Sequence, residues 1–382
     1  MSDGEGRQSR PTIGLMMIVR NEALTLPRLA SSVIGQINHW TIVDTGSTDD
    51  TVEVARLIFD GVPGELIEDE WRGYGPSRNV ALEAAAPHSD WLLTMDADET
   101  LHGSLGDVSF DADTDGVTAE ERMASLHWWK PRLVRSDAGW RWYGRAHECL
   151  QVEDREPVLA PTEAIWVEHH ADGGSRHGKY QRELALLIED WKEQPGDPRT
   201  AFYLARTYEG LDHLDYAIRW FRTRLDLGGW DEESFYARLT LGGCLLRSGA
   251  TEEGCGTLWR AWGERPWRAE PLVVLAGQYR AMQAWPLAWE AISLAFEHCG
   301  VRPDGELSRD EPDSLFVDQA VIEWQAAYEA SISAWYVGEV ERGRELNDYL
   351  LSLSGLPADI QTAVAANVAF YEGEVSSSDP SA

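Results

Sequence analysis

Three apolar runs in the first hundred residues each end on polar residues, and this feature limits the fold more than any other. Ile13–Val19 leads into Arg20, Asn21 and Glu22; residues 41–43 lead into Asp44; residues 91–95 lead into Asp96. Between them, residues 22–34, 51–59 and 77–86 carry apolar side chains at helical spacing, and 65–70 reads as another strand. This alternation predicts a mainly parallel sheet covered by helices. Ligands of such sheets bind outside the carboxyl ends of the strands. The polar residues stand at those ends.

The pattern changes near residue 175. Leu204, Ala205, Tyr208, Ala217 and Phe221 form one helical unit, and Leu275, Ala276, Tyr279, Ala288, Ile292 and Ala295 form another. Tyr208 precedes Ala217 by nine residues, as Tyr279 precedes Ala288, and Gly254 precedes Ala288 by 34. That is the tetratricopeptide period, so an all-α helical-repeat domain is expected. The expected organisation is a polar, disordered leader over 1–11, a nucleotide-binding half over 12–100 and an acceptor half over 101–175. A helical domain over 176–372 and a disordered tail over 373–382 complete it. Residues 104–122, acidic and glycine-containing, read as an exposed excursion.

The net charge of −32, from 65 acidic and 33 basic residues, argues against a phosphate-backbone partner, because such binding rests on Lys and Arg. A local groove of Arg132, Arg135, Arg141 and Arg145 keeps a DNA or modified-base acceptor as an alternative. The four cysteines, Cys149, Cys244, Cys255 and Cys299, form no C-x-x-C pair, so neither a disulfide framework nor a zinc site is expected. The first apolar run is too short for a signal segment or a membrane span, and a cytoplasmic protein is the simplest expectation.

Asp96-Ala97-Asp98 places two carboxylates at one strand end, where both can face a divalent cation such as Mn²⁺ or Mg²⁺. A cation there would offset charge on a departing diphosphate. Asp44 can accept a hydrogen bond from a base N–H. Gly46, Ser47 and Asp49 form the turn behind it, which a helix cap alone would also explain. Arg20, Asn21 and Glu22, after Val19, can meet phosphate, base or ribose. Arg78 and Asn79 open a helix from which an arginine can reach a diphosphate. Of the candidate catalytic pair His147 and Glu148, Glu148 can remove the acceptor proton, and His147 can be a third metal ligand or an acceptor contact. His169 and His170 are candidate metal or phosphate ligands.

The order Ile-Val-Arg-Asn-Glu at 18–22, Val-Asp-Thr-Gly-Ser-Thr-Asp at 43–49, Ser-Arg-Asn at 77–79, Asp-Ala-Asp-Glu at 96–99 and Gly-Arg-Ala-His-Glu at 144–148 resembles family 2 glycosyltransferases of the GT-A fold, in the branch with C-terminal tetratricopeptide repeats. The resemblance covers roughly residues 12–230. It implies a nucleoside diphosphate sugar donor, usually a UDP-sugar, with Asp44 on the base; the expected donor residues are Val19, Arg20, Asn21, Glu22, Asp44, Gly46, Ser47, Asp49, Arg78, Asn79, Asp96 and Ala97. It implies metal at Asp96 and Asp98 and an inverting mechanism; His170, of the histidine pair above, is the expected third ligand. Glu148 substitutes for the base motif of processive members, which this chain lacks. The repeats would hold a peptide, protein or glycan acceptor, or join two copies. The other class of function is a non-enzymatic scaffold carrying an inactive transferase domain.

Overall fold

The computed structural model describes residues 10–124, 126–173, 178–301 and 315–372. The expected leader and tail lie almost wholly outside the described residues. The chain divides into two compact units, Met1–Pro195 and Gly196–Ala382.

The first unit is built on strands β1 (Ile13–Val19), β2 (His39–Asp44), β3 (Gly64–Glu68), β4 (Trp91–Thr94), β5 (Glu99–Gly103), β6 (Gly116–Met123), β7 (Leu126–Arg135) and β10 (Leu159–His169), with β8 (Trp140–Tyr143) and β9 (Cys149–Val152) forming a separate hairpin. Its sheet runs β3-β2-β1-β4-β7-β6-β10-β5. The four strands from β3 to β4 are parallel, and β7 then enters antiparallel against β4. Every residue of β1 is buried. Leu15, Met17 and Val19 join one core with helices α1 (Leu26–Val33) and α2 (Thr51–Ile58), while Met16 and Ile18 join a second with α3 (Tyr74–Ala85) on the other face. Side chains alternate across a strand, so a central strand covered on both faces must be apolar throughout. Each such side chain contributes about 1.5–3 kcal/mol on burial.

Two segments differ from the sequence reading. Residues 116–122, expected in an exposed excursion, belong to β6, hydrogen-bonded along β7. Its buried acid, Glu121, is neutralised from β7 by Arg132 at 2.7 Å. Helix α4 (Lys179–Glu193), expected to open the helical domain, falls within the first unit. There Arg145 binds Asp190 at 2.6 Å and Glu193 at 2.7 Å, and His147 lies 3.4 Å from the buried Glu183.

The second unit is all-α, in successive helices α5 (Pro198–Gly210), α6 (Leu214–Leu227), α7 (Asp231–Arg247), α8 (Thr251–Glu264), α9 (Glu270–Ala281), α10 (Trp285–His298), α11 (Ala326–Val337), α12 (Val340–Ser352) and α13 (Ala358–Tyr371). They pack as sequential neighbours, the tetratricopeptide-like arrangement. Asp197 caps α5 by accepting from the Thr200 amide at 2.7 Å. Helices α7 and α8 meet closely: a β-carbon on Gly242 would stand 2.6 Å from Leu258, and one on Gly254 would stand 2.7 Å from Leu246. Among the described residues no helix is long and apolar enough to cross a membrane.

Candidate active site

The loops after β1 and β2 are fastened together by side chains expected to touch ligand. The Asn21 amide donates to Ser47 Oγ at 2.9 Å, and the Thr48 amide donates to Asn21 Oδ1 at 2.7 Å. Asn21 takes a left-handed φ of 57° to do this. Asp49 accepts from the Thr51 amide at 3.1 Å and the Ala23 amide at 3.3 Å, and the Glu22 amide donates to Thr51 Oγ1 at 2.7 Å. Asp44 Oδ2 accepts from the Gly46 and Ser47 amides at 3.1 and 3.0 Å, and Ser47 Oγ donates to Asp44 Oδ1. Asn21, Gly46, Ser47 and Asp49 therefore shape the site instead of lining it, because their polar groups satisfy the two turns.

Asp96 and Asp98 follow β4. The Asp96 amide donates to Glu99 Oε2 at 2.7 Å. Glu99, fully buried, is gripped by Arg132, whose Nη1 and Nη2 donate at 2.8 and 2.6 Å, while Nη1 also donates to the Thr94 carbonyl at 3.0 Å. Burial opposes ionisation of Glu99, yet the Arg132 charge outweighs it and holds the carboxyl well below its ordinary range. This buried pair fixes the strand end that presents Asp96 and Asp98.

Arg78, on α3, donates from Nη2 to Asp96 Oδ1 at 2.5 Å and from Nε to Glu148 Oε1 at 2.6 Å. Its guanidinium carbon lies 5.1 Å from the centre of the Trp142 ring. Burial raises the Asp96 carboxyl, but the Arg78 charge prevails and lowers it. Glu148 thus stands behind Arg78, against the expectation that it faces an acceptor. The expected ligand contact of Asn79 is also corrected: its amide bonds both the carbonyl and the amide of Trp142 at 2.9 Å, tying α3 to β8.

Asp98 is enclosed by the segment after β10. The His170 amide donates to the Asp98 carbonyl at 3.0 Å, and the Gly173 amide donates to Asp98 Oδ2 at 3.3 Å. Arg28 on α1 anchors that segment through Asp172 at 2.6 Å. His169 Nε2 lies 3.8 Å from Asp98 Oδ2. The expected ligand His170 turns elsewhere, with Nε2 2.8 Å from Thr100 Oγ1 and 3.9 Å from Glu168. His169, not His170, therefore joins the carboxylate pair. Burial raises the Asp98 carboxyl above its ordinary value; His169 opposes this, and Asp96 adds to it. Burial lowers the His169 imidazole, but Glu99 and Asp98 reverse this and leave it raised.

Asp96 and Asp98 offer oxygen donors at one strand end, the donor type that suits a divalent cation, with the Asp96 carboxylate also bound by Arg78. Among the described residues, the cluster whose ligand atoms lie close enough together for an ion is Glu99, Glu121 and His169. Arg132 already lies 2.6 Å from Glu99 and 2.7 Å from Glu121 there, so the cluster's charge is met.

A cleft of about 160 Å³ joins these elements. Of the expected residues, Val19, Arg20, Glu22, Arg78, Asp96, Ala97 and Asp98 line it. Thr45, Trp71, Tyr74, His169, Gly173 and Arg182 line it as well. Trp71, Tyr74 and Arg182 were missed by sequence reasoning; only the G-x-G-rich turn 73–75 hinted at the first two. Asp44, Asn79, His147, Glu148 and His170 lie outside the lining.

The four arginines of the alternative nucleic-acid groove all face acids. Arg132 meets Glu99 and Glu121, and Arg135 meets Asp115 at 3.3 Å and Asp137 at 2.9 Å. Arg141 lies 3.6 Å from Glu83, and Arg145 meets Asp190 at 2.6 Å.

A parallel sheet with carboxylates at its central strand ends and a polar cleft across them defines an α/β nucleotide-binding domain. Residues 15–105, within the first unit, match the sequence family described as Glycosyl transferase family 2. The chain is 24% identical over 237 residues to the SPbeta prophage-derived glycosyltransferase SunS of Bacillus subtilis, across 58% of this chain and 55% of that protein. It is 34% identical over 95 residues to an uncharacterized glycosyltransferase of Rickettsia felis, across 25% and 31% of the two chains. It is 39% identical over 90 residues to a TPR repeat-containing protein of Synechococcus elongatus, across 23% and 21%. The chain spans about half the length, or less, of these curated relatives. Among solved structures it is similar to MamA, at 17% identity and a TM-score of 0.35, covering 51% of this chain and 94% of that one. It is also similar to a thermophilic TPR protein of Thermus thermophilus, at 16% identity and a TM-score of 0.34, covering 50% and 92%.

Proposed function

We propose that the chain transfers a glycosyl group from a nucleoside diphosphate sugar to an acceptor hydroxyl or thiol, with inversion at the anomeric carbon. The observation that carries this reading is the carboxylate pair Asp96 and Asp98 at the end of β4, sharing one cleft with Arg20 and Arg78. In the transfer, the acceptor oxygen or sulfur bonds to the anomeric carbon on the face opposite the diphosphate. The bond from that carbon to the phosphate oxygen breaks, and the acceptor's proton is released.

Asp96, Asp98 and His169 are the residues assigned to hold Mn²⁺ or Mg²⁺. When bound, the cation supplies charge that offsets the leaving diphosphate. The imidazole in this set favours Mn²⁺ over Mg²⁺, which prefers oxygen donors and water. Arg20, exposed at the end of β1, is assigned to the phosphates. Arg78 fixes Asp96, and Glu148 in turn fixes Arg78, which gives Glu148 a positioning role in place of the base role expected from sequence.

Asp44 is assigned to the base. Its carboxylate has about four acceptor positions, and the turn uses two on Oδ2 and one on Oδ1, which leaves Oδ1 able to accept once more. The helical unit is assigned to acceptor binding, with a peptide, protein or glycan as the acceptor class and self-association as its other use. The paired state of Arg132, Arg135, Arg141 and Arg145 weighs against a DNA acceptor. The intact carboxylate pair weighs against an inactive scaffold.

Donor binding and hydrolysis across UDP-, GDP- and TDP-sugars, with and without Mn²⁺, test this. Metal-dependent binding of at least one donor, lost in Asp98→Ala, is expected. Absence of binding to every nucleotide sugar overturns the reading.

A further inference from the structure

Helix α5 carries an arginine whose charge the helical unit leaves unmatched. Arg206 is half-buried, yet among the described residues it has no ion pair and no hydrogen bond. Other arginines of the unit are matched: Arg199 meets Glu233 at 3.1 Å, Arg224 meets the same acid at 3.3 Å, and Arg247 meets Asp212 at 2.6 Å. Arg219 and Arg260 also lack an acid among the described residues, but both are exposed to water. Glu209, one turn further along α5, lies against Arg247 at 3.4 Å instead.

Arg206 is surrounded by aromatic rings. Its guanidinium carbon lies 4.6 Å from the ring centre of Phe316, 5.3 Å from that of Tyr236 and 5.8 Å from that of Phe202. The rings also meet one another edge-on, Tyr236 standing 5.2 Å from Phe316 and 6.1 Å from Phe202. Phe316 reaches this place from a left-handed φ of 50°, a conformation that is costly for a bulky side chain. Aromatic rings stabilise the charge of a guanidinium, but they offer no oxygen to its N–H groups. The Tyr236 hydroxyl is a second donor without a hydrogen-bond partner among the described residues. Burial pushes this hydroxyl up; Arg206 opposes the shift, and Glu209, Glu270 and Asp318 add to it, so it stays protonated. Neither donor is sealed from solvent.

Space for a ligand lies along α7. Gly243 stands seven residues beyond Tyr236, two helical turns on, and so shares its face of the helix. A β-carbon there would meet nothing within 4 Å. Glycine inside a helix is destabilising relative to alanine, and here it keeps that face of α7 bare.

We infer that Arg206, with the Tyr236 hydroxyl beside it, anchors an Asp or Glu side chain of a peptide acceptor whose backbone passes over Gly243. This deepens the acceptor role proposed for the helical unit and rests on it. The planar fork of a guanidinium matches the two oxygens of a carboxylate. A phosphate suits the place less well, because Glu209, Glu270 and Asp318 act on the same ring and repel a double charge more than a single one.

The test is a nuclear magnetic resonance titration of the full chain that follows its arginine Nε–H signals. The probes are capped pentapeptides Ser-Ala-Xaa-Ala-Ser in which Xaa is Glu, Gln or phosphoserine, together with the Gln peptide bearing a free C-terminus. The Glu peptide should shift the Arg206 signal, assigned by its loss in Arg206→Lys, and bind about tenfold or more tightly than the capped Gln peptide. Arg206→Gln should abolish that preference, and Arg206→Lys, which keeps the charge without the fork, should retain only part of it. Arg260→Gln, at an exposed arginine, should leave it intact. Equal binding of the Glu and Gln peptides, or an unmoved Arg206 signal in the wild-type protein, overturns the inference even if a variant fails to fold. A preference for Glu that survives Arg206→Gln overturns it as well. So does tighter binding of the phosphoserine peptide, or binding of the free C-terminus as tight as that of Glu. Wild-type protein that binds the Glu peptide but no nucleotide sugar supports the site and defeats the proposed transfer, which separates the two failures.

Discussion

Arg78 Nε donates to Glu148 Oε1 at 2.6 Å, and the two side chains are 9% and 11% exposed. The same guanidinium reaches Asp96 at 2.5 Å, so one cation joins the hairpin side of the domain to the end of β4. Glu148 acts on the site through Arg78 in this arrangement.

Glu148→Gln keeps a hydrogen bond to Arg78 and removes the charge. Activity should fall about tenfold or more, mainly in kcat, with roughly 1–3 kcal/mol lost in stability because a buried partner is weakened. The pH–rate profile separates positioning from base catalysis. A positioning role leaves the acidic limb of the profile in place, whereas loss of that limb in Glu148→Gln would restore Glu148 as the base.

Asp98 has one amide donor, at 3.3 Å, and its carboxyl is raised mainly by burial. A cation would reverse that cost. Asp98→Asn should abolish Mn²⁺ binding, measured by electron paramagnetic resonance, and lower transfer by about 10²–10³, the scale expected when a charge-stabilising group is lost. Chelation of the wild-type protein should have the same effect and be reversed by added Mn²⁺. Equal activity with and without chelator counts against the metal assignment.

His169→Ala and His170→Ala make a paired comparison, because the two neighbours point to different places. His169 faces Asp98, and His170 faces Thr100. The first substitution should weaken Mn²⁺ by about tenfold, in the range seen when a ligand's surroundings are altered. The second should leave Mn²⁺ affinity within twofold. The reverse order would return the ligand role to His170.

What could be read in advance followed from period and chemistry. The residues of β1 are apolar without a break, and only a strand covered on both faces has that pattern, so the sheet and its polar ends were legible. The Asp96 and Asp98 pair was legible for the same reason. Strand β6 was not, because Glu121 reads as a solvated acid until Arg132 is placed beside it across the sheet. The choice between His169 and His170 depends on how the chain leaves β10, which spacing does not encode. Arg182 belongs to a helix whose membership in the first unit rests on Arg145 meeting Asp190 and Glu193, contacts distant in sequence. Sequence order indicated the strand-end side of the cleft, and only packing revealed the aromatic and α4 walls.

Gly173 marks how tightly the site is closed. A β-carbon there would stand 3.0 Å from Glu22 Oε1 and 3.2 Å from Asp98 Oδ2. Gly173→Val should push both carboxylates aside and weaken Mn²⁺ and donor together by tenfold or more. The melting temperature should change by only a few degrees, since the position is partly exposed. A large loss of stability with unchanged metal affinity would show that Gly173 serves the fold instead.

Asp115 provides a test of stability away from the cleft. Its side chain is 3% exposed and meets Arg155 at 2.5 Å, Arg135 at 3.3 Å and the Val158 amide at 2.8 Å. The hydrogen bond from Arg155, only partly opposed by burial, lowers its carboxyl to about 2. An unfolded aspartate titrates near 3.9. The folded state therefore binds this proton less readily, so Asp115 stabilises the fold fully above pH of about 4. That contribution is lost as the pH falls through the folded value of about 2. Asp115→Asn should cost about 2–3 kcal/mol at neutral pH, because two guanidinium groups lose their charge partner. Chemical denaturation of both proteins at pH 7, 4 and 2.5 should show the difference narrowing as acid is added. A gap that stays constant down to pH 2.5 would mean that the charge of Asp115 contributes nothing, and that only its hydrogen bonds hold the turn before β6 to the strands around it.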